Sequence, residues 1–346
     1  MQLPLISVVI ATYNSEKTLP LVLDSIKKQS YPKDKIETIV IDGGSKDKTL
    51  TIIRKNGCKL LKNPKVDQVF AKFIGYKKAH GKYLILLDSD EVLDNKNSIK
   101  NKALAMLEDE RVKVVISSGL SKPDTYSDIT YYVNEYGDPF SFFMYGISKD
   151  PTVFIRQLEN KYKTDYKDLK KVVFDFSKEE NPPFIELTAM GVMVNLEYIK
   201  KSLPNLLKFP SLHTHLFYLI NNNNNLFSIM KNDNIVHYSA PSFGNYLNKI
   251  KTRVRSNVFK TEMGKAGFEG REKYYSSWYK LKKYLFIFYT ISLVLPLIDA
   301  LFLYLRRGRK IYFVHPFLCI YTISTLAYYY ILKVFGIKII LRGYGT

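Results

Sequence analysis

The sequence predicts an α/β protein, with a mostly parallel sheet covered by helices on both faces and a C-terminal pair of membrane-associated helices. Three observations predict it. Over residues 1–118, short continuous apolar runs alternate with segments of helical period, the pattern of β-α units whose strands are buried on both faces. The strand-like run Tyr83-Leu-Ile-Leu-Leu-Asp88-Ser-Asp90-Glu91 stops abruptly on carboxylates. Two apolar stretches, residues 284–305 and 311–335, stand close together near the end, each long enough to span a bilayer core.

Residues 5–11 read as a β-branched-rich strand. Ser15 is placed to cap a helix in which Leu19, Val22, Leu23 and Ile26 recur at helical spacing. Residues 36–41 form a second strand, ending at Asp42-Gly-Gly-Ser45. A helix over 47–55, a short strand over 59–61, a helix over 66–79, a strand over 83–87, a helix over 98–107 and a strand over 112–116 come next. In such sheets ligands bind beyond the carboxyl ends of strands, where Tyr13, Asp42 and Asp88 fall. Residues 119–182 crowd aromatics and prolines with no clean period, so a mixed or insertion-like region with a mobile loop is expected, closed by Pro182-Pro183. Beyond it lie a strand and turn over 184–195, helices over 196–202 and 212–220, an asparagine loop over 221–225, and short strands over 227–230 and 235–238. The chain thus divides into residues 1–120, 121–262 and a C-terminal region, 272–346.

Hydrophobic content of 46% with 24% charged residues excludes global disorder. The formal charge of +20 is uneven: residues 249–346 hold 18 Lys and Arg against 4 acids, the first 248 only 34 against 28. Basic residues set among the longest apolar runs favour an anionic membrane surface. No nucleic-acid-binding motif accompanies them, so no nucleic-acid partner is expected. Two cysteines, Cys58 and Cys319, are too few for a disulfide framework and fit a reducing compartment. The first residues read as a strand and lack a basic leader region, so secretion is not expected.

The tail leaves its topology open. Basic clusters occupy 280–283 and 306–310. If both apolar stretches cross, one cluster lies on the far side, against the positive-inside tendency. A re-entrant or interfacial pair with both clusters cytoplasmic avoids that conflict. The expected location is a membrane, with the domain ahead of the tail facing the cytoplasm.

In an extended backbone Asp88 and Asp90 point to the same side. Two carboxylates at the mouth of a buried strand are costly unless a cation joins them, and a hard divalent ion so held can grip a diphosphate. That points to an enzyme acting on a nucleotide-activated donor.

Four stretches stand in order over about 85 residues: Ser7-Val-Val-Ile-Ala-Thr-Tyr-Asn14, Ile39-Val-Ile-Asp-Gly-Gly-Ser-Lys-Asp-Lys-Thr49, Ala71-Lys-Phe-Ile-Gly75 and Leu86-Leu-Asp-Ser-Asp-Glu91. Together they resemble the family 2 glycosyltransferases of GT-A (Rossmann-like) fold. The resemblance covers the first 120 residues well and the next 140 loosely, and the apolar tail resembles the membrane attachment of many members. It implies that residues 1–120 bind a nucleotide-sugar and that 121–262 form the acceptor side. Tyr13 would stack on the base, and Asp42 would contact base or ribose, with Ala11 and Ser89 beside the donor. Many relatives carry a second acid where this chain has Gly43. Lys72 stands where relatives usually have arginine and would neutralise phosphate as a point charge. Asp88 and Asp90 match the family's D-x-D, which implies Mg²⁺ or Mn²⁺ bridging the donor's diphosphate. Glu91 either supports that site or caps the next element.

Inverting members use a carboxylate in the second half as base. The matching region here is Phe209-Pro-Ser-Leu-His-Thr-His215, so His213 or His215 is a candidate base. Glu186 and Asp138 are alternatives. His237, closing a strand, is a candidate for the metal or the diphosphate. Lys249, Arg253 and Arg255 on one helix would hold donor phosphates or lipid headgroups, or simply face solvent. The implied reaction is metal-dependent, inverting transfer from a nucleotide-sugar donor to a lipid-linked or surface-glycan acceptor, with membrane lipids as further partners. A metal-dependent nucleotidyltransferase and a non-catalytic glycan- or lipid-binding scaffold are the alternatives.

Overall fold

In the computed structural model, residues 2–223, 225–259, 268–337 and 339 are described. The expectations for 260–262, 338 and 340–346 lie outside the described residues.

Strands β1 (Ile6–Thr12), β2 (Ile36–Asp42), β3 (Lys59–Lys62) and β4 (Tyr83–Asp88) run parallel in the order β3-β2-β1-β4. Every residue of β1 is buried, on both sides of the pleat, which requires cover on both faces of the sheet. Helices α1 (Leu19–Lys27), α2 (Thr49–Lys55) and α3 (Gln68–Lys78) belong to this part. The expected cap at Ser15 differs in detail. Helix α1 starts at Leu19, the Ser15 carbonyl accepts the Thr18 and Leu19 N–H groups, and the Ser15 hydroxyl turns to Ser89, 2.8 Å away. Because β2 and β4 flank β1, the chain reverses its direction of growth there, a switch point whose strand ends form a crevice. Ala11 pairs with Asp88 and Thr12 with Asp42, so the candidate residues leave the sheet at one level.

After β4 the chain forms β5 (Glu91–Leu93), α4 (Ser98–Glu108), β6 (Val112–Ile116) and β7 (Gly119–Ser121). Residues 119–182, expected to be mixed or insertion-like, form a mixture of regular elements: α5 (Ile129–Tyr136), α6 (Pro139–Tyr145), α7 (Phe154–Glu159), and the antiparallel pair β8 (Thr164–Lys167) and β9 (Lys171–Phe174). Their aromatics show no period because each serves several neighbours. Tyr132, for one, packs on Tyr136, Tyr246 and His315 at once. Of the strand expected over 184–195 only β10 (Val192–Asn195) forms, because Met190 and Gly191 take positive φ just before it.

Helix α8 (Leu196–Ser202) comes next, then a 3₁₀ turn at Pro210–His215 leading into α9 (Leu216–Asn221), and β11 (Leu226–Met230) and β12 (Asn234–His237). The main sheet has the order β3-β2-β1-β4-β10-β6-β11-β9-β8. Strand β10 enters antiparallel between β4 and β6, so strands from before and after residue 120 share one core. A small sheet, β5-β12-β7, stands beside the end of β4.

Helix α10 (Phe243–Phe259) and the short α11 (Phe268–Arg271) lead to the tail helices α12 (Ser277–Ile291), α13 (Val294–Arg307) and α14 (His315–Val334). The single apolar helix expected over 284–305 is instead the pair α12–α13, bent by 91°. Leu293 takes φ 53°, and Pro296, lacking an N–H, cannot continue a helix running from α12. The second stretch, Lys310–Val334, is long and apolar enough to cross a membrane.

Candidate active site

The site is built where β1, β2 and β4 end. At the end of β4, Asp88 Oδ1 lies 2.7 Å from Nζ of Lys72, which reaches from α3. The lysine is buried, and its ammonium also donates to the Thr188 carbonyl. Glu91, wholly buried, accepts the Asp88 N–H at 3.1 Å with one carboxyl oxygen and the Met190 N–H at 2.8 Å with the other. One side chain thus ties the Asp88–Asp90 turn to residues 186–190. Burial, with the Asp88 charge added, pushes the Glu91 carboxyl up to about 8.

Asp90 is fixed from the other side. Its carbonyl accepts the Tyr238 N–H at 2.8 Å, and the β5–β12 register sets His237 opposite Glu91. His237 Nδ1 lies 2.9 Å from Asn134 Oδ1, while Asn134 Nδ2 donates to the Ser121 carbonyl at 3.0 Å. That second bond fixes the amide, so the ring carries its proton on Nδ1 and turns the Nε2 lone pair toward Asp90 Oδ2, 3.7 Å away. Burial, helped by the Lys249 charge, lowers His237 to about 3, so the ring is neutral. Burial also raises the Asp90 carboxyl, against the attraction of Lys249. Two acceptor atoms facing one another suit a cation. Among the described residues, no three His, Cys, Asp or Glu side chains form a group able to hold a metal ion by themselves. A cation on Asp88 and Asp90 would therefore complete its shell from substrate oxygens and water, the habit of Mg²⁺.

The donor-side candidates converge here with different degrees of freedom. Tyr13 is half-buried just after β1. Its neighbour Asn14, at φ 48°, joins the two strand-end loops: its N–H donates to Ser45 Oγ and its Oδ1 accepts the Lys46 N–H, both at 2.8 Å. Asp42 is buried and accepts from Gly44 N, Ser45 N and Ser45 Oγ, so its carboxylate shapes the 42–45 turn, where Gly44 takes φ 92°. Ala11 is buried and pairs with Asp88. Ser89 is held by Ser15.

The base candidates separate. His213 is 1% exposed and packs on Tyr76 and Phe73, its Nε2 at 2.8 Å from the Leu206 carbonyl. His215 is buried near Tyr274, within reach of the Arg271 charge. Burial lowers both rings to about 4. The structure takes both into packing, because the 3₁₀ turn of 210–215 points them inward. Asp138 caps α6, accepting the Ser141 N–H at 2.8 Å. Glu186, by contrast, is 44% exposed, with Lys149 Nζ at 3.5 Å and the Thr188 hydroxyl at 3.3 Å. Burial of its surroundings works to raise its carboxyl, yet the charges of Lys149, Lys72, Arg253 and Arg271 bring it down to about 2.

Helix α10 sends Lys249 and Arg253 toward the site. Arg253 donates to the Gly137 carbonyl at 3.0 Å and lies 3.5 Å from Asp138, while the Lys249 charge acts on Asp90. Arg255 does not join them. Two residues along an α-helix turn the side chain by about 200°, and its charge acts instead on Tyr329 of α14. Asn134, Lys149 and Thr188 have site positions that no sequence pattern marks, since each comes from a stretch without period.

Residues 7–163 match the family model Glycosyl transferase family 2. A poly(ribitol-phosphate) beta-N-acetylglucosaminyltransferase, TarS of Staphylococcus aureus, is 35% identical over 118 residues, covering 32% of this chain and 20% of TarS. A dolichyl N-acetyl-alpha-D-glucosaminyl phosphate 3-beta-D-2,3-diacetamido-2,3-dideoxy-beta-D-glucuronosyltransferase of Methanococcus voltae is 36% identical over 88 residues, 23% of this chain and 27% of its own. The matched part is therefore only about a fifth to a quarter of the length of these relatives. The structure of a mannosyltransferase from Pyrobaculum calidifontis, in complex with GDP-Man and Mn²⁺, superposes with a TM-score of 0.51 at 14% identity over 95% of this chain and 88% of that one. The shared fold is the GT-A-like α/β fold. Through residues 7–163, which build the strand ends of the site, this chain is similar to glycosyl transferase family 2.

Proposed function

We propose that this chain transfers a sugar from a nucleoside diphosphate donor to an acceptor hydroxyl, by single displacement with inversion. The observation that carries this is the convergence of Asp88, Asp90, Lys72 and His237 at the switch point of the sheet. Tyr13 and the Asp42 turn would receive the nucleoside, and Lys72 the diphosphate. Asp88 and Asp90, beside the His237 Nε2 lone pair and completed by substrate oxygens and water, would hold Mg²⁺ or Mn²⁺, which would supply positive charge for the departing diphosphate.

Glu186 is the proposed proton acceptor. It is ionised at neutral pH, open to solvent, and tied by its own segment to Lys72 and Glu91. A carboxylate this acidic takes the hydroxyl proton late, as the new C–O bond makes that proton acidic. His213 and His215 have no such access. The cations Lys149, Arg253 and Arg271 around Glu186 favour an anionic acceptor. The relatives' names, with a poly(ribitol-phosphate) and a dolichyl-linked phosphate, agree with a phosphate-bearing polymer or lipid. The apolar tail favours the lipid and a place at the cytoplasmic membrane face.

The test is product analysis with Mn²⁺, a panel of nucleotide-sugars and a polyprenyl phosphate. Nucleoside diphosphate released together with a glycosylated lipid is expected. Pyrophosphate released from a nucleoside triphosphate would place the chain among nucleotidyltransferases instead.

A further inference from the structure

We infer that α12–α14 form a re-entrant, in-plane anchor, entering an anionic lipid bilayer from the side of the catalytic domain and never crossing it. The bent pair has both feet on that domain. At its start, Ser276 donates through N–H and hydroxyl to Asn181 Oδ1 at 3.1 and 3.0 Å, and Tyr279 and Lys282 donate to the Met144 carbonyl. At its end, Arg307 reaches Asp150 at 2.5 Å, and Arg309 reaches Glu135 at 2.7 Å and Asp150 at 2.9 Å. Tyr312 donates to the same Glu135. Both acids are buried, so releasing either arginine would strand an uncompensated charge. The apex between the feet is apolar and open: Phe288 and Ile291 are 69% exposed and Val294 61%.

Helix α14 cannot leave this face either. It starts against the domain, with the His315 ring bonded to the Tyr132 hydroxyl and edge-on to Phe142. It then packs along α10 and ends with Lys333 donating to the Val258 carbonyl at 2.8 Å. A groove of about 260 Å³ between the two helices is lined by Lys251, Tyr321, Ser324, Thr325 and Tyr328. If α14 crossed the bilayer, α10 would be drawn into hydrocarbon with Lys249, Lys251, Arg253 and Arg255, four charges that hydrocarbon cannot solvate. Lying in the interface, α14 keeps that helix in water.

Charge selects the occupant. Residues 277–337 hold eight Lys and Arg against the single acid Asp299. Two such faces would repel, so a second copy is a poor cover, whereas phosphatidylglycerol complements both the apolar apex and the basic rim.

Sidedness tests this without any turnover, so its outcome is independent of the proposed reaction. The full chain, carrying Lys310→Cys and a C-terminal epitope tag, is expressed in bacterial membranes. Cys58 serves as a domain marker in a companion sample. Lys310→Cys should react with an impermeant maleimide, and the tag should be digested, only in inverted vesicles, the same side as Cys58. Reaction or digestion in intact spheroplasts means a crossing and overturns the anchor. Purified chain should also float with phosphatidylcholine–phosphatidylglycerol vesicles about tenfold better than with pure phosphatidylcholine. A dimer by light scattering that ignores both vesicles would make a second copy the occupant and overturn it too.

Discussion

Lys72 Nζ and Asp88 Oδ1 stand 2.7 Å apart at the end of β4, the lysine sealed in α3 and the aspartate 18% exposed. The buried cation has one face on the carboxylate and another on the Thr188 carbonyl. It therefore compensates Asp88 before any substrate arrives and joins three separate stretches of chain at one point. In the proposed function, a diphosphate joined to Asp88 and Asp90 through a divalent cation would meet a charge already compensated in folding.

Lys72→Met removes that charge and keeps the volume. Stability should fall by about 2 kcal/mol, below the cost for a fully buried pair because Asp88 is partly open to water. The thermal midpoint should drop by about 3 °C, and nucleoside diphosphate affinity, by calorimetry in Mn²⁺, by tenfold or more. Unchanged midpoint and affinity would show the pair to be incidental.

The link from Asn134 to His237 predicts a metal effect from a residue that touches no metal. Asn134→Ala frees the ring to rotate or to move its proton to Nε2, which would close the lone pair facing Asp90. Orienting partners of this kind are worth roughly 10- to 100-fold in metal affinity. Mn²⁺ binding in the presence of nucleoside diphosphate, followed by paramagnetic resonance, should weaken by that amount, and Asp90→Asn should weaken it further. Equal binding in wild type and Asn134→Ala would remove His237 from the site.

The strand-end placement of Tyr13, Asp42 and Asp88 was legible because its information is local. Continuous apolar runs ending on Tyr13, Asp42 and Asp88 are read directly as buried parallel strands, and the parity of Asp88 and Asp90 as a shared face. Glu186 was named among the candidates, but its setting was not legible, for the opposite reason. Glu186 and Thr188 lie in an irregular segment held by Glu91 and Lys72, from 95 to 116 residues earlier in the chain. His213 and His215 occupy the expected place in order, yet a 3₁₀ turn sends both inward. The individual elements of residues 119–182 were not legible because aromatic packing between elements leaves no period along the chain. The tail showed its apolarity but hid its bend, which one backbone at Leu293 and one missing N–H at Pro296 decide.

If Glu186 is the proton acceptor, Glu186→Gln should lower kcat by 10²- to 10⁴-fold, roughly the worth of general base catalysis. KM for the donor should change little, since the carboxylate lies beyond Lys72 and meets the acceptor. His213→Gln should leave kcat within a few-fold. The reverse pattern, a dead His213→Gln and an active Glu186→Gln, would transfer the role to the histidine.

The buried histidines give the fold a pH dependence whose sign is set by their burial. His213 and His215 titrate near 4 when folded and near 6.5 in an unfolded chain. Between those values the unfolded state binds the extra protons, so stability rises with pH. It is full above about pH 6.5 and is lost as pH falls toward 4, at up to about 1.4 kcal/mol per pH unit for each ring. Thermal midpoints measured from pH 7.5 to 5 should therefore fall steeply below 6.5. His213→Phe keeps the ring packing on Tyr76 but leaves the Leu206 carbonyl without its partner. The variant should start lower at pH 7.5 and decline with a visibly shallower slope. An identical slope in both proteins would mean that His213 is protonated in the fold without penalty, and that its burial does not govern the acid limb.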